Sequence, residues 1–174
     1  WSRPEIFVYS LGDVYPVFSG TCNTWKGIER IFPDLSPARH EDAMNYVFLL
    51  GERFDALNLW QVPQTDPFGA HMKQLIALRA RVRDVVYAGR MMDVRGLSGM
   101  PERVEARVFV RAQPPGAVIT VWDRRPERTP WRLRIDTSAL PWPAGLTAAR
   151  ALLLDGTELP ADLAREGGVL SLAV

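Results

Sequence analysis

A single cysteine among 174 residues, Cys22, excludes a disulfide within the chain and any metal site built from several thiolates. It leaves the compartment open: extracellular, periplasmic and cytoplasmic settings all tolerate one thiol. Histidine is almost as scarce. His40 and His71 stand far apart, neither has a ligand partner four residues on, and each reads as a surface or packing residue. Charge of one sign is also missing. Lys and Arg total 21 against 20 Asp and Glu, a net charge of +1, which gives no electrostatic reason to expect nucleic acid or an anionic membrane as partner. No apolar run approaches the ~20 residues of a membrane-spanning helix. There is no P-loop, dinucleotide fingerprint or nucleophile elbow, so neither a cofactor nor a metal is expected.

What is present has an ordinary globular balance, 47% hydrophobic and 24% charged, with six Trp and 14 Pro. Its texture changes along the chain. Trp1 leads quickly into an apolar run, Ile6-Phe7-Val8-Tyr9, a short buried-strand candidate that ends at Ser10-Leu11-Gly12-Asp13. Residues 15–26 read as an ordered loop. Ser36-Pro37 marks a helix start, with Ser as N-cap and Pro in the first turn, and apolar residues then recur at Met44, Val47, Phe48 and Leu50 until Gly51. Glu52, Arg53 and Asp55 read as a solvated helix end. Leu57–Trp60 is the next strand candidate. Asp66-Pro67 opens a second helix with Phe68, Met72, Leu75, Ile76, Val82, Val85 and Val86 on one face, Lys73, Arg79, Arg81 and Arg83 elsewhere, and Gly89 as its C′ residue.

After Pro101 the period changes from 3.6 to 2. Val104, Ala106, Val108 and Val110 alternate with Arg103, Glu105 and Arg107, Phe109 being the exception. Trp131, Leu133 and Ile135 alternate with Arg132, Arg134 and Asp136, and the arginine-rich faces of these strands, Arg107 included, read as solvent faces. Turns are marked by Pro114-Pro115-Gly116, Asp155-Gly156 and Gly167-Gly168, and Val169–Val174 is a last strand. Short strands with regular turns indicate an antiparallel β-sandwich. The two strand–helix units before it cannot close a sheet by themselves. The expected architecture is therefore α/β plus all-β. Residues 1–98 would be the last βα units of a (β/α)8 barrel, incomplete within these residues, and residues 99–174 a small antiparallel sandwich. Arg90 and Asp93, at the end of the long helix, are expected to pair and tie the two parts together.

Carboxylates and aromatic rings are the remaining chemical resource. In such a barrel, reacting groups follow the strand C-termini. Asp13 follows the first strand candidate and Asp66 the second. Tyr9, Tyr15, Trp25 and Trp60 lie around the same two strand ends. Rings that stack on pyranose faces, beside paired carboxylates, are what a glycosidic site requires. Each also has a structural reading: Asp66 as an N-cap, Asp13 as a turn cap, Trp60 as core. Asp13 is the one candidate catalytic group, with Tyr9, Tyr15, Trp25 and Trp60 as candidate substrate contacts. Cys22, in a polar loop with no nearby histidine in sequence, is not a candidate nucleophile.

The runs EIFVYSLGDVYPVFSGTC, SPARHEDAMNYVFLLGERFD and LIALRARVRDVVYAGRMMD, followed by VEARVFV and AVITVWD, together resemble the C-terminal part of bacterial glycoside-hydrolase-like proteins, in which a TIM barrel precedes a small β-sandwich. The resemblance covers most of the chain and rests on the order of elements. It implies glycosidic bond hydrolysis through paired carboxylates, an oligosaccharide or polysaccharide as partner, and a catalytic carboxylate on an earlier barrel strand outside these residues, in a missing N-terminal part or another chain. The alternative is a non-catalytic carbohydrate-binding protein or a structural subunit of a larger assembly with the same architecture.

Overall fold

The computed structural model describes residues 17–18, 37–54, 67–127, 129–143, 148–161, 163–166 and 168–173. These form a mixed, sheet-rich fold of two helices and four small sheets. In chain order they are β1 (Val17–Phe18), α1 (Pro37–Leu49), β2 (Arg53–Phe54), α2 (Pro67–Val86), β3 (Arg90–Met91), β4 (Leu97–Ser98), β5 (Val104–Arg111) and β6 (Gly116–Asp123). There follow β7 (Arg132–Asp136), a 3₁₀ turn (Thr137–Ala139), β8 (Ala149–Leu152), β9 (Glu158–Ala161), β10 (Leu163–Glu166) and β11 (Val169–Ala173). The strands expected at Ile6–Tyr9 and Leu57–Trp60 lie outside the described residues. Among those described, β1 and β2 pair in parallel on either side of α1, with Val17 opposite Arg53 and Phe18 opposite Phe54. The other three sheets are antiparallel.

Both helices begin at the expected prolines, whose fixed φ suits the first turn and whose missing N–H is not needed there. The 20 residues of α2 span about 30 Å. Its buried stripe runs Met72, Leu75, Arg79 and Val86, steps of three, four and seven. The periodic reading placed two residues wrongly: Ile76 is 41% exposed, and Arg79 is only 4% exposed. Gly89 is not a left-handed C′ residue. It is required because a Cβ there would stand 2.3 Å from the carbonyl oxygen of Val85 and 2.9 Å from that of Val110.

β5 organises the rest. Its even residues, Val104, Val108 and Val110, share one apolar core with Leu133 and Ile135 of β7, Leu170 of β11, Trp131, Leu140 and Met92. The β3-β5-β6 sheet therefore faces the β10-β11-β7-β4 sheet across a common core. Its odd residues face the helices. Phe109 is buried with Met91 and Val86, and Val82, Val85, Tyr87 and Val118 pack around them. This accounts for Phe109 as the break in alternation: β5 is covered on both sides, so hydrophobic residues are wanted on both. Arg107, expected on a solvent face, is buried as well. On β7 the alternation holds, with Leu133 and Ile135 buried and Arg132, Arg134 and Asp136 exposed.

Helix α1 ends in a Schellman turn. Glu52 N–H donates to the Val47 carbonyl (3.2 Å) and Gly51 N–H to that of Phe48 (3.1 Å), with Gly51 at φ 73°. A Cβ at Gly51 would stand 2.7 Å from Phe109 Cε1 and 2.8 Å from Val86 Cγ1. Conformation and space both select glycine. Gly51→Ala should therefore combine a left-handed backbone cost of about 1–2 kcal/mol with overpacking of about 1–3 kcal/mol. Thermal unfolding should show a clear fall in the midpoint; an unchanged midpoint would mean that the helix end relaxes away from Phe109.

Candidate functional site

Asp13, Tyr9, Tyr15, Trp25 and Trp60 lie outside the described residues, as do Cys22 and Asp66. Within the described residues, polar chemistry collects in two adjoining places on the helix-facing side of β5 and β6.

The first is the buried end of α1. An α-helix leaves its last carbonyls without partners in the helix, and burial there demands replacements. The Schellman turn supplies two. Arg79, reaching across from α2, donates its Nη2 to the Phe48 carbonyl, with the Val47 carbonyl 3.5 Å away. Thr120 of β6 donates its hydroxyl to the Leu49 carbonyl at 2.8 Å. The Arg79 guanidinium carbon also lies 4.4 Å from the Phe48 ring centroid and 5.8 Å from that of Tyr87. Burial pushes the Arg79 pKa down to about 10, against the opposing influence of Tyr87 and Glu52. Arg79 thus stays cationic at neutral pH, placed where the partial negative charge of the helix end favours a cation. Glu52 is 4% exposed, so the residue after the turn is buried and not the solvated helix end expected. Arg53 continues into β2.

The second place is a chain of alternating charges. Arg107 Nε lies 2.8 Å from Asp93 Oδ1, and its Nη2 lies 3.7 Å from Glu105 Oε2. Glu105 also accepts from Arg124. The Arg124 guanidinium stacks on Trp122, 4.6 Å from the ring centroid, and Trp122 meets Tyr46 of α1 at 6.4 Å between centroids. Strand register explains the grouping. Glu105 is opposite Trp122, and Arg107 is opposite Thr120. Asp93, held at φ 54°, pairs with Arg107 and not with Arg90, which is exposed on β3. Met92 and Asp93 share one partner across the strand: Met92 N–H donates to Val108 O, and Val108 N–H donates to Asp93 O. This two-to-one arrangement turns Asp93 toward Arg107.

Both carboxylates are ion-paired with guanidinium groups, and Glu105 is also hydrogen-bonded to Arg124, an arrangement that binds and orients. No group of three or more His, Cys, Asp or Glu able to hold a metal occurs among the described residues. Sequence reasoning missed Arg79, Glu52 and Arg107. For Arg79 a signal exists: it lies four residues beyond Leu75 and seven beyond Met72, on the apolar stripe. Arg107 shares its face with Phe109, which also marks that face as covered.

Comparison with protein-family models, with curated proteins and with solved structures finds no match.

Two outcomes follow. Thr120→Val keeps the shape and leaves the Leu49 carbonyl buried without its donor, which costs about 1–3 kcal/mol. Urea unfolding should read that loss as a lower midpoint with an unchanged slope. The other concerns His71, whose Nε2–H donates to Asn45 Oδ1 at 2.9 Å, joining α2 to α1. Burial lowers its pKa, against the raising influence of Glu41 and Asp42. A folded-state pKa below the unfolded value of about 6.5 means that the unfolded chain binds the proton more readily. Stability should hold above that pH and fall as pH drops through about 6.5 toward the folded pKa. Unfolding free energies at pH 7.5 and 5.5 should differ more in the wild type than in His71→Gln; equal differences would remove His71 as the cause.

Proposed function

We propose that the chain belongs to a carbohydrate-active protein that hydrolyses glycosidic bonds through paired carboxylates, with part of the site supplied from outside these residues. In this reading the chain carries the last βα units of a (β/α)8 barrel followed by a β-sandwich. The observation that carries it is the order of elements: parallel strands β1 and β2 flank α1, α2 follows, and two antiparallel sheets then share a core. Asp13 is the leading catalytic candidate. Tyr9, Tyr15, Trp25 and Trp60 would stack on sugar rings. Trp25 follows β1 in the chain and Trp60 follows β2, the order in which barrel site residues come; Asp13, Tyr9 and Tyr15 precede β1, and their claim rests on the strand expected at Ile6–Tyr9. Asp55, directly after β2, has a claim of the same positional kind.

One observation favours a second reading, a non-catalytic carbohydrate-binding or structural subunit. Tyr46, Trp122 and Arg124 gather aromatic and cationic groups at the helix–sheet junction beside a carboxylate already bound to arginine, a surface suited to holding a ligand without reacting with it.

Turnover of glycosides by the full-length protein tests the first reading. Asp13→Asn keeps the side-chain size and removes the charge. It should lower turnover by orders of magnitude with folding intact, and Asp55→Asn measured beside it separates the two positions. Near wild-type turnover in Asp13→Asn would exclude Asp13 from the chemistry. Retained glycan binding without turnover in the wild type would favour the second reading.

A further inference from the structure

The β8–β9 hairpin stands apart from the rest of the described fold. Its strands pair only with each other among the described residues, with Ala149 opposite Ala161 and Leu152 opposite Glu158. No described residue from 148 to 161 is buried, and Leu153 and Leu159 are 40% and 44% exposed. The tip is closed locally. Leu153 N–H donates to the Thr157 carbonyl at 2.9 Å, and Thr157 N–H donates to Asp155 Oδ1 at 2.8 Å. Around Gly156 there is open space. A two-stranded hairpin without a buried face is marginal in water, so something else must seat it.

Among the described residues, one arginine bonds it to α2. Arg81 of α2 donates Nη1 to the Gly156 carbonyl at 3.3 Å and Nη2 to Glu158. Arg150, on β8 itself, shares the same carboxylate at 3.0 Å. The Arg81 and Glu158 side chains are about four-tenths exposed, so solvent and salt screen the pair.

We infer that the β8–β9 hairpin is a hinged arm latched to α2 by Arg81, opening as a unit while the two facing antiparallel sheets stay folded. The hairpin has no core of its own to resist opening, and the seat is ionic. Such an element belongs to the low-stability end of a fold, where local opening precedes global unfolding. When open, it releases the Arg81 side of α2 and frees the Gly156 turn together with Leu153 and Leu159.

Amide hydrogen exchange on the full chain, read peptide by peptide, tests this. In the wild type, amides of residues 149–161 should exchange faster than those of β5 and β7. Arg81→Gln, a change at an exposed position, should speed exchange in 149–161 by about two- to fivefold, the range expected of one surface ion pair, with β5 and β7 unchanged. Salt at 1 M should speed the arm more in the wild type than in the variant, which keeps only the Arg150–Glu158 pair within the hairpin. Arm amides as protected as those of β5 would overturn the proposal. So would an unchanged arm in Arg81→Gln, or a loss of protection shared equally by β5 and β7.

Discussion

The buried carboxyl end of α1 is the constraint on which the arrangement depends. A helix that stops inside a protein presents carbonyl oxygens to a medium that cannot hydrate them. Here the chain's own turn meets two, α2 sends Arg79 to one of the same oxygens, and β6 sends Thr120 to a third. Three elements distant in sequence therefore converge on one helix end. Removing Thr120 would take the hydroxyl donor from the Leu49 carbonyl, and removing Arg79 would leave the Phe48 carbonyl with the Gly51 N–H alone. This convergence fixes where α1 lies against α2 and where both lie against the β5–β6 pair. Apolar packing alone would permit sliding along the helix axis; these hydrogen bonds do not.

The same solution recurs at the end of α2. Arg111 of β5 donates Nη1 to the Asp84 carbonyl and Nε to the Pro114 carbonyl, fastening the last turn of the helix to the β5–β6 connection. Close approach is possible because Gly89 and Gly116 carry no side chain; a Cβ at Gly116 would stand 2.9 Å from Val85 Cγ2. Both helices thus finish on the sheet with an arginine at their carbonyl ends, where charge and dipole agree in sign. β5 then serves two layers at once. Val104, Val108 and Val110 fill the core shared with the second sheet, while Phe109 fills the one shared with the helices. The continuity of helices and sheets follows from this one strand.

Much of this was legible before any coordinates. Ser36-Pro37 and Asp66-Pro67 announced the helix starts, and the alternations at Val104–Val110 and Trp131–Ile135 announced β5 and β7. Asp155-Gly156 and Gly167-Gly168 announced hairpins. The misplaced charged residues have one physical source. Arginine and glutamate were assigned to solvent on the strength of their charge, but Arg79 and Arg107 cross apolar surface on long stems and meet carbonyl or carboxylate oxygens there. Such partners are distant in sequence: Phe48 lies 31 residues from Arg79. Local periodicity cannot see them. Asp93 shows the same limit, since its partner is chosen by the two-to-one strand pairing opposite Val108 and not by its nearness to Arg90. Of the candidate site, the sequence could offer the residue types and their order along the chain. The five residues it singled out lie outside the described part, so their mutual geometry was never within reach of a pattern.

The helix cap also bears on where chemistry could be placed. Only Leu50, Gly51 and Glu52 separate the last residue of α1 from β2, and all three are buried. The direction in which the chain leaves the helix is therefore set by the Schellman turn and by Phe109 beneath it, with no slack in between. β2 pairs with β1 from the next residue, Arg53, so the register of the only parallel pair among the described residues inherits its position from the cap. β2 therefore starts from an anchored point. Functional groups on loops work when a rigid element holds the base of the loop. In this chain that base is built from a glycine with no room for a methyl group, a buried glutamate, and the arginine and threonine that hold the helix end in place.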